Sequence, residues 1–298
     1  MKPCAKLVPV VLIVCAVMSG LSCTPPAAFA GTVTGQVMID AKTPMAKGVV
    51  LLFSSVTGPP PSPYKYWRIP DQVLPADSDG KFSLTLPPGD WYMMAAQKKQ
   101  DTEIGPPLES EFLYFHADSS GNARVIPVTD AGTVDLGKLT GTFTWLPTMS
   151  ERDKGITSVE GVVLTMEGKP VPNLVVLAFY TPEMRRRPAF VSERTDKDGK
   201  FIIRVAEGGN YWLKVRGVIG GGAPATGEYQ NTTDEFTPFM VALENGQKLK
   251  GVILNVKEFS GIGSTGQPKQ QKIWKRVDDM KTDPQEAQPP GEKKKSRK

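Results

Sequence analysis

The chain repeats itself. Asp77-Ser78-Asp79-Gly80-Lys81-Phe82 returns as Asp196-Lys197-Asp198-Gly199-Lys200-Phe201, with matching sequence on both sides. Thr34-Gly35-Gln36-Val37 answers Glu160-Gly161-Val162-Val163, and Gly89-Asp90-Trp91-Tyr92 answers Gly209-Asn210-Tyr211-Trp212. A repeat of this length means two copies of one folding unit. The 298 residues fit two domains of ordinary size, each able to bury its own core without disulfides.

Both copies read as short strands. Val33, Gly35, Val37 and Ile39 alternate with other residues, as do Val159, Gly161 and Val163; period two marks a half-buried strand. The nearly unbroken apolar runs from Gly48 to Phe53 and from Leu174 to Tyr180 predict strands covered on both faces. After each Asp-x-Asp-Gly turn comes another alternating strand, Phe82, Leu84, Leu86 or Phe201, Ile203, Val205. With 29 Gly and 27 Pro as punctuation, the expected fold is all-β, two tandem antiparallel transthyretin/Ig-like β-sandwiches. Their expected bounds are 31–142 and 157–259, with 143–156 as a linker and independent folding of each copy.

The order of landmarks resembles the carboxypeptidase regulatory-like domain, a transthyretin-like sandwich of bacterial envelope and secreted proteins. It rests on the Gly-x-Val opening strand, Pro170-Val171 (Pro44-Met45 in the first copy), the Asp-x-x-Gly-x-Phe hairpin, and Gly209-Asn210-Tyr211, with Trp91 in the first copy. The resemblance implies an accessory module without chemistry of its own and without a cofactor.

The first thirty residues differ in kind. Lys2 and Lys6 precede an apolar run from Leu7 to about Met18, and Ala28-Phe29-Ala30 is a small-x-small cleavage pattern, so a signal peptide over 1–30 and export are expected. The apolar run is shorter than the ~20 residues of a spanning helix, so no membrane span is expected in the mature form. Two readings of Cys23 stay open: removal with a leader cut after Ala30, or lipidation at Leu21-Ser22-Cys23. Cys4 and Cys15 also lie in this region, which leaves the folded part without a thiol for a disulfide, a thiolate metal site or a nucleophile.

The formal charge of +5 is set by the C-terminal end. Residues 260–298 hold ten Lys/Arg and five Asp/Glu; setting these and the two leader lysines aside leaves 24 basic and 26 acidic residues. Nucleic acid is therefore a poor partner. Rich in Gly, Gln, Pro and Lys, residues 260–298 are expected to be disordered. Within them Ile273, Trp274, Val277 and Met280 fall at helical spacing beside Lys272, Lys275 and Arg276, either as a segment that folds on an anionic surface or as a solvated tail.

Few constellations invite chemistry. An EF-hand-like calcium loop would need an oxygen ligand where Pro75 and Arg194 stand, so Asp77, Asp79 and their counterparts are read as bonding their own turns, with Gly80 and Gly199 at positive φ. His116 is the single histidine, too few for a zinc peptidase or the transthyretin-like hydrolases, and no Gly-x-Ser-x-Gly elbow accompanies it. The most ligand-competent segment is the loop from Gly58 to Pro70, where Pro59, Pro60, Pro61 and Pro63 stiffen a stretch carrying Tyr64, Tyr66, Trp67 and Arg68. Its aromatics either stack on a sugar or Pro-rich peptide or fold back over the sandwich edge. Ile104-Gly105-Pro106-Pro107 and Gly220-Gly221-Gly222-Ala223-Pro224 form a second pair of loops that would border a binding edge. Together these features predict a non-catalytic structural or protein-interaction protein of the cell envelope or exterior, with an envelope or extracellular protein as partner. The alternative is a carbohydrate-binding module with a polysaccharide partner.

Overall fold

A computed structural model describes residues 30–98, 105–151, 155–184, 187–219, 224–231 and 239–261. Cys23 with the rest of residues 1–29, on which the signal-peptide expectation falls, and the basic residues beyond 261 lie outside them. The protein is all-β, as the sequence predicts, and its two copies share a common strand framework that differs at the sheet edges, β6 joining the inner sheet of the first copy and β15 the outer sheet of the second.

In the first copy, β1 (Gly31–Val37), β4 (Lys81–Leu86) and β8 (Thr133–Leu139) form a three-stranded sheet in the order β4-β1-β8. Facing it is a sheet of β3 (Gln72–Pro75), β2 (Val49–Ser54), β5 (Gly89–Gln97), β6 (Phe112–Phe115) and β9 (Phe143–Thr144), with β7 (Ile126–Val128) also paired to β5. In the second copy, β12 (Phe190–Val191), β11 (Val175–Phe179), β14 (Gly209–Arg216) and β16 (Phe239–Leu243) form one sheet. The other is β13 (Lys200–Val205), β10 (Thr157–Thr165), β17 (Lys248–Glu258) and β15 (Tyr229–Asn231). One detail departs from a purely antiparallel sandwich: β8 runs parallel to β1, and β17 parallel to β10. The last strand of each copy crosses over from the inner sheet and returns beside the first, so no hairpin fixes its direction.

The repeated motifs are cross-strand partners. Gly35 stands opposite Phe82 and Gly161 opposite Phe201 in register. A side chain on either glycine would meet that ring, at 2.9 Å for Gly35 and 3.0 Å for Gly161, where it would also overlap the Val252 carbonyl oxygen. The glycine is thus required by the phenylalanine lying over it. Gly161→Ala is expected to cost about 1 to 3 kcal/mol by overpacking against backbone; an unchanged thermal melting temperature would refute this. Asp77 Oδ1 accepts bonds of 2.8 Å from the amides of Asp79 and Lys81, and Asp196 Oδ1 accepts bonds of 2.9 Å from those of Asp198 and Lys200. Gly80 and Gly199 both sit at φ 72°, so the motif is a self-bonded turn, as expected from its sequence. Asp118 repeats the device without having been singled out: its Oδ1 accepts from Ser120 and Asn122 at 2.8 and 3.0 Å. Trp91 and Tyr211 occupy equivalent places because each reaches back four residues to a carbonyl, Pro87 at 3.0 Å and Glu207 at 2.9 Å.

The apolar layers number three where two sandwiches alone would have two. Val33, Val50, Met93 and Ile126 belong to the core of the first copy, and Val163, Phe190, Ile203 and Leu213 to that of the second. Between the copies lies a third, made of Phe53, Tyr92, Met94 and Leu113 from one side and Val175, Leu177, Phe179 and Val191 from the other. Alternation along the inner strands divides them between layers. On β5, Trp91, Met93 and Ala95 enter the first core while Tyr92, Met94 and Ala96 enter the shared one. On β11, Val176 and Ala178 face the second core while Val175, Leu177 and Phe179 face the shared one. On β2, Val50 and Leu52 face the first core and Leu51 and Phe53 the shared layer, so the two apolar runs, β2 and β11, are unbroken because both strands are covered on both faces. The segment between the copies is part of the same arrangement. Its β9 pairs with β6, Trp145 is 1% exposed within the shared layer, and a short 3-10 helix follows over Pro147–Glu151.

Candidate functional site

The Pro-rich loop does not present an exposed platform. Tyr66, Trp67 and Arg68 are buried, at 8%, 7% and 7% exposure. Tyr64 is half-buried and stacks on Phe143 with ring centroids 6.0 Å apart. Tyr66 crosses to the second copy and enters its core, meeting Phe190 edge-on at 5.2 Å, while its hydroxyl donates to the Pro60 carbonyl at 2.6 Å. Burial pushes that hydroxyl's pKa up to about 12, so it stays a donor at any ordinary pH. Trp67 lies edge-on to Trp145 at 5.0 Å in the shared layer, donates from Nε1 to Glu193 Oε1 at 3.0 Å, and accepts at its carbonyl from the Val191 amide at 3.1 Å. The prolines bring the chain out of β2 and across the boundary, and the apolar faces of the rings gain more from the second copy's interior than from water.

Arg68 holds the loop from within. It donates to the Pro59 carbonyl, to Thr57 Oγ1 at 2.8 Å and to the Ser54 carbonyl at 3.3 Å, pairs with Asp71 at 3.6 Å, and lies over the Phe53 ring. Burial lowers its pKa, and Asp71 opposes that shift. Asp71 in turn accepts from the Ser54 amide and Thr57 Oγ1 at 2.8 Å each and pairs with Arg187 of the second copy at 3.2 Å. The loop is a clamp between the copies. Sequence patterning identified the stiffness and the aromatics but not their direction.

A cleft of about 320 Å³ opens farther along the same boundary, at the lower end of the range for small-molecule sites. Lys98, Pro106 and Glu111 line it from the first copy, and Asn173, Glu193 and Arg194 from the second. Gly105 and Pro107 also line it, so half of the second loop pair does border a recess; Ile104 and residues 220–223 lie outside the described residues. Its charges are engaged within the protein. Lys98 Nζ donates to Glu111 Oε2 at 3.0 Å and to the carbonyls of Gly105 and Pro106 at 3.3 Å. Glu111, 1% exposed, also accepts from the Leu108 amide at 2.9 Å. Arg194 Nη1 donates to the carbonyls of Asn173 at 2.6 Å and Gly217 at 3.1 Å, and burial lowers its pKa. Glu193 accepts from Arg204 at 3.0 and 3.1 Å. Such a recess offers shape and an apolar floor at Val175 rather than a base, nucleophile or uncommitted charge. Glu111 escaped sequence reasoning because a single carboxylate before an apolar strand looks like a solvated end.

His116 follows β6 and is 7% exposed, with Nδ1 3.0 Å from the Tyr114 hydroxyl. Burial lowers its pKa below the ordinary 6.5, and Arg124 adds to the effect. His116→Ala is expected to cost about 1 to 3 kcal/mol, because truncation leaves the buried Tyr114 hydroxyl without this partner. The folded pKa is depressed, so the unfolded chain binds the proton more readily. Stability is retained above about pH 6.5 and falls as pH drops from there through the folded value. The melting temperature of the protein should decline more steeply below pH 6.5 than that of His116→Gln, and parallel curves would refute this. Among the described residues, no three or more His, Cys, Asp or Glu side chains gather as a metal-binding group.

No protein-family model matches the chain, and no curated protein matches it. Similar solved structures include the Bacillus anthracis TIE protein, at 12% identity over 77% of this chain and 34% of that one, with a TM-score of 0.24. A streptococcal ancillary pilin has 15% identity over 77% of this chain and 63% of its own, with a TM-score of 0.22. BcpA, the major pilin subunit of Bacillus cereus, has 9% identity over 77% and 100%, also with a TM-score of 0.22. The chain thus spans about a third of the TIE protein's length and under two thirds of the ancillary pilin's.

Proposed function

We propose that the protein is a non-catalytic structural and protein-interaction element of the cell envelope or exterior, acting as a stiff four-sheet block. One observation carries this reading: the apolar layer between the copies, pinned by Trp67, Trp145 and Tyr66, fixes two sandwiches at one spacing and orientation. A block of that kind transmits force and presents surfaces at set distances, whereas the cleft along the boundary keeps its charges internally paired. The copies are proposed to be carboxypeptidase regulatory-like units spanning 31–142 and 157–259. The Phe-over-Gly pairs and the self-bonded Asp turns support that assignment, since the resembling landmarks are in contact. Export is proposed from the leader, to the periplasm, outer-membrane surface or exterior, with cleavage after Ala30 or lipidation of Cys23 as the two routes.

The test is mild crosslinking of intact producing cells, followed by capture of the protein from envelope and culture fractions. A recurrent protein partner in envelope or exterior fractions supports the reading. Recovery solely from the cytoplasm, or turnover of a defined substrate abolished by a cleft substitution such as Arg194→Ala in a folded variant, would overturn it.

A further inference from the structure

The outer faces of the two copies share three equivalent strands, with β15 added in the second, but carry different chemistry. On the β4-β1-β8 sheet the outward positions are Lys81, Ser83 and Thr85, then Thr32, Thr34 and Gln36, then Thr133, Asp135 and Lys138, all polar. On the β13-β10-β17-β15 sheet the equivalents of Ser83 and Gln36 are Ile202 and Val162. Val162 pairs with Lys200 on one side and Ile253 on the other, and Leu164 continues the row along β10. Ile253 is 51% and Ile202 38% exposed.

Charge surrounds this aliphatic row. Lys200, Arg204, Lys248, Lys250 and Lys257 occupy outward positions of β13 and β17. Glu160 is the carboxylate on β10, 3.5 Å from Lys250, and Asp198 lies 3.7 Å from Lys200 in the adjoining turn; Arg204 is bound to Glu193. The balance remains positive, on a protein whose residues between leader and tail are slightly acidic. The basic C-terminal end leaves from this same strand, since β17 closes at Glu258 and ten Lys/Arg follow residue 260.

We propose that the outer face of this second-copy sheet docks on an anionic lipid bilayer surface, Ile202, Val162, Leu164 and Ile253 entering the interface while Lys200, Lys248, Lys250 and Lys257 meet the headgroups. Exposed aliphatic side chains among lysines combine the two terms that hold peripheral proteins on anionic membranes, and the positive face complements an anionic surface. A second copy of this chain is disfavoured as occupant, because lysine-rich faces would oppose each other. The inference goes beyond the proposed structural role and stands or falls separately from it.

Co-sedimentation of the full-length mature protein with lipid vesicles tests it. Vesicles of phosphatidylcholine mixed with phosphatidylglycerol should retain the protein at low salt, and vesicles of phosphatidylcholine alone should not. Ile202→Ser with Ile253→Ser should weaken partitioning by on the order of tenfold or more, since two exposed aliphatic insertions are lost. Lys200→Glu with Lys257→Glu should do likewise, while Lys81→Glu with Lys138→Glu on the first copy should have little effect. Unchanged melting temperatures confirm that the variants are folded; a variant that fails this check is replaced by the other pair. Several results would overturn the proposal: no vesicle binding, binding insensitive to both second-copy pairs, or equal sensitivity to the first-copy pair. Concentration-dependent dimerisation that the isoleucine pair abolishes would do the same by assigning the face to a second copy.

Discussion

Trp145→Ala is expected to lower stability by about 3 to 5 kcal/mol, the cost of deleting a fully buried large aromatic. For a chain of this size that corresponds to a fall in Tm on the order of 10 °C. The indole is 1% exposed and meets Trp67 edge-on at 5.0 Å, so truncation opens a cavity in the layer that both copies share. Trp67→Ala should come close to the same loss, with an added contribution from Glu193, which would lose the Nε1 donor at 3.0 Å. Leu146→Ala is the internal control: its side chain is 40% exposed beside Trp145 and should melt within about half a kcal/mol of the parent. Thermal melts of the three variants decide the matter. A Trp145→Ala protein that melts with the parent would mean that the shared layer contributes nothing to stability.

Separating the copies should have the second large effect. Each half contains a complete strand set and its own core, so both 31–151 and 155–261 are expected to keep β-type circular dichroism. Neither should be well behaved alone. The first half would expose Phe53, Tyr92, Met94, Leu113 and Trp145, and the second Val175, Leu177, Phe179 and Val191. A contiguous apolar patch of this kind exceeds what monomeric domains tolerate. The second half loses more, because Tyr66 is a member of its core supplied by the first. The expected outcome is self-association of each half, a lower melting temperature for 155–261 than for 31–151, and a heterodimer when the two are mixed. Two monomeric halves that ignore each other in analytical ultracentrifugation would show that the boundary is a passive contact.

Much of this architecture was legible in the residues. The repeat fixed the number of units because a duplicated order of strands and turns can be satisfied only by duplicated folding. Period-two alternation marked β4 and β13, and the Asp-x-Asp-Gly turns follow from local backbone bonding that needs no distant partner. Even the double covering of β2 and β11 was visible, as apolar runs with no polar face. What covered them was not: a run that reads as buried on both sides does not say whether the second cover is a helix, another sheet or a second copy of the same domain.

That choice belonged to the tertiary structure, and it decided the fate of the most conspicuous candidate site. A Pro-rich loop bearing Tyr64, Tyr66, Trp67 and Arg68 has the same composition whether it faces a ligand or a neighbouring domain. Its direction depends on Val191, Phe190, Trp145 and Arg187, residues up to more than a hundred positions away. Likewise, local sequence established that β13 alternates, but only the register set Ile202, Val162 and Ile253 together among lysines on one outward face. Local chemistry is encoded by near neighbours along the chain, and the sequence by itself determined it. Which surfaces meet, and which are left to meet something else, depends on contacts between residues far apart in the chain, and only the fold brings those together.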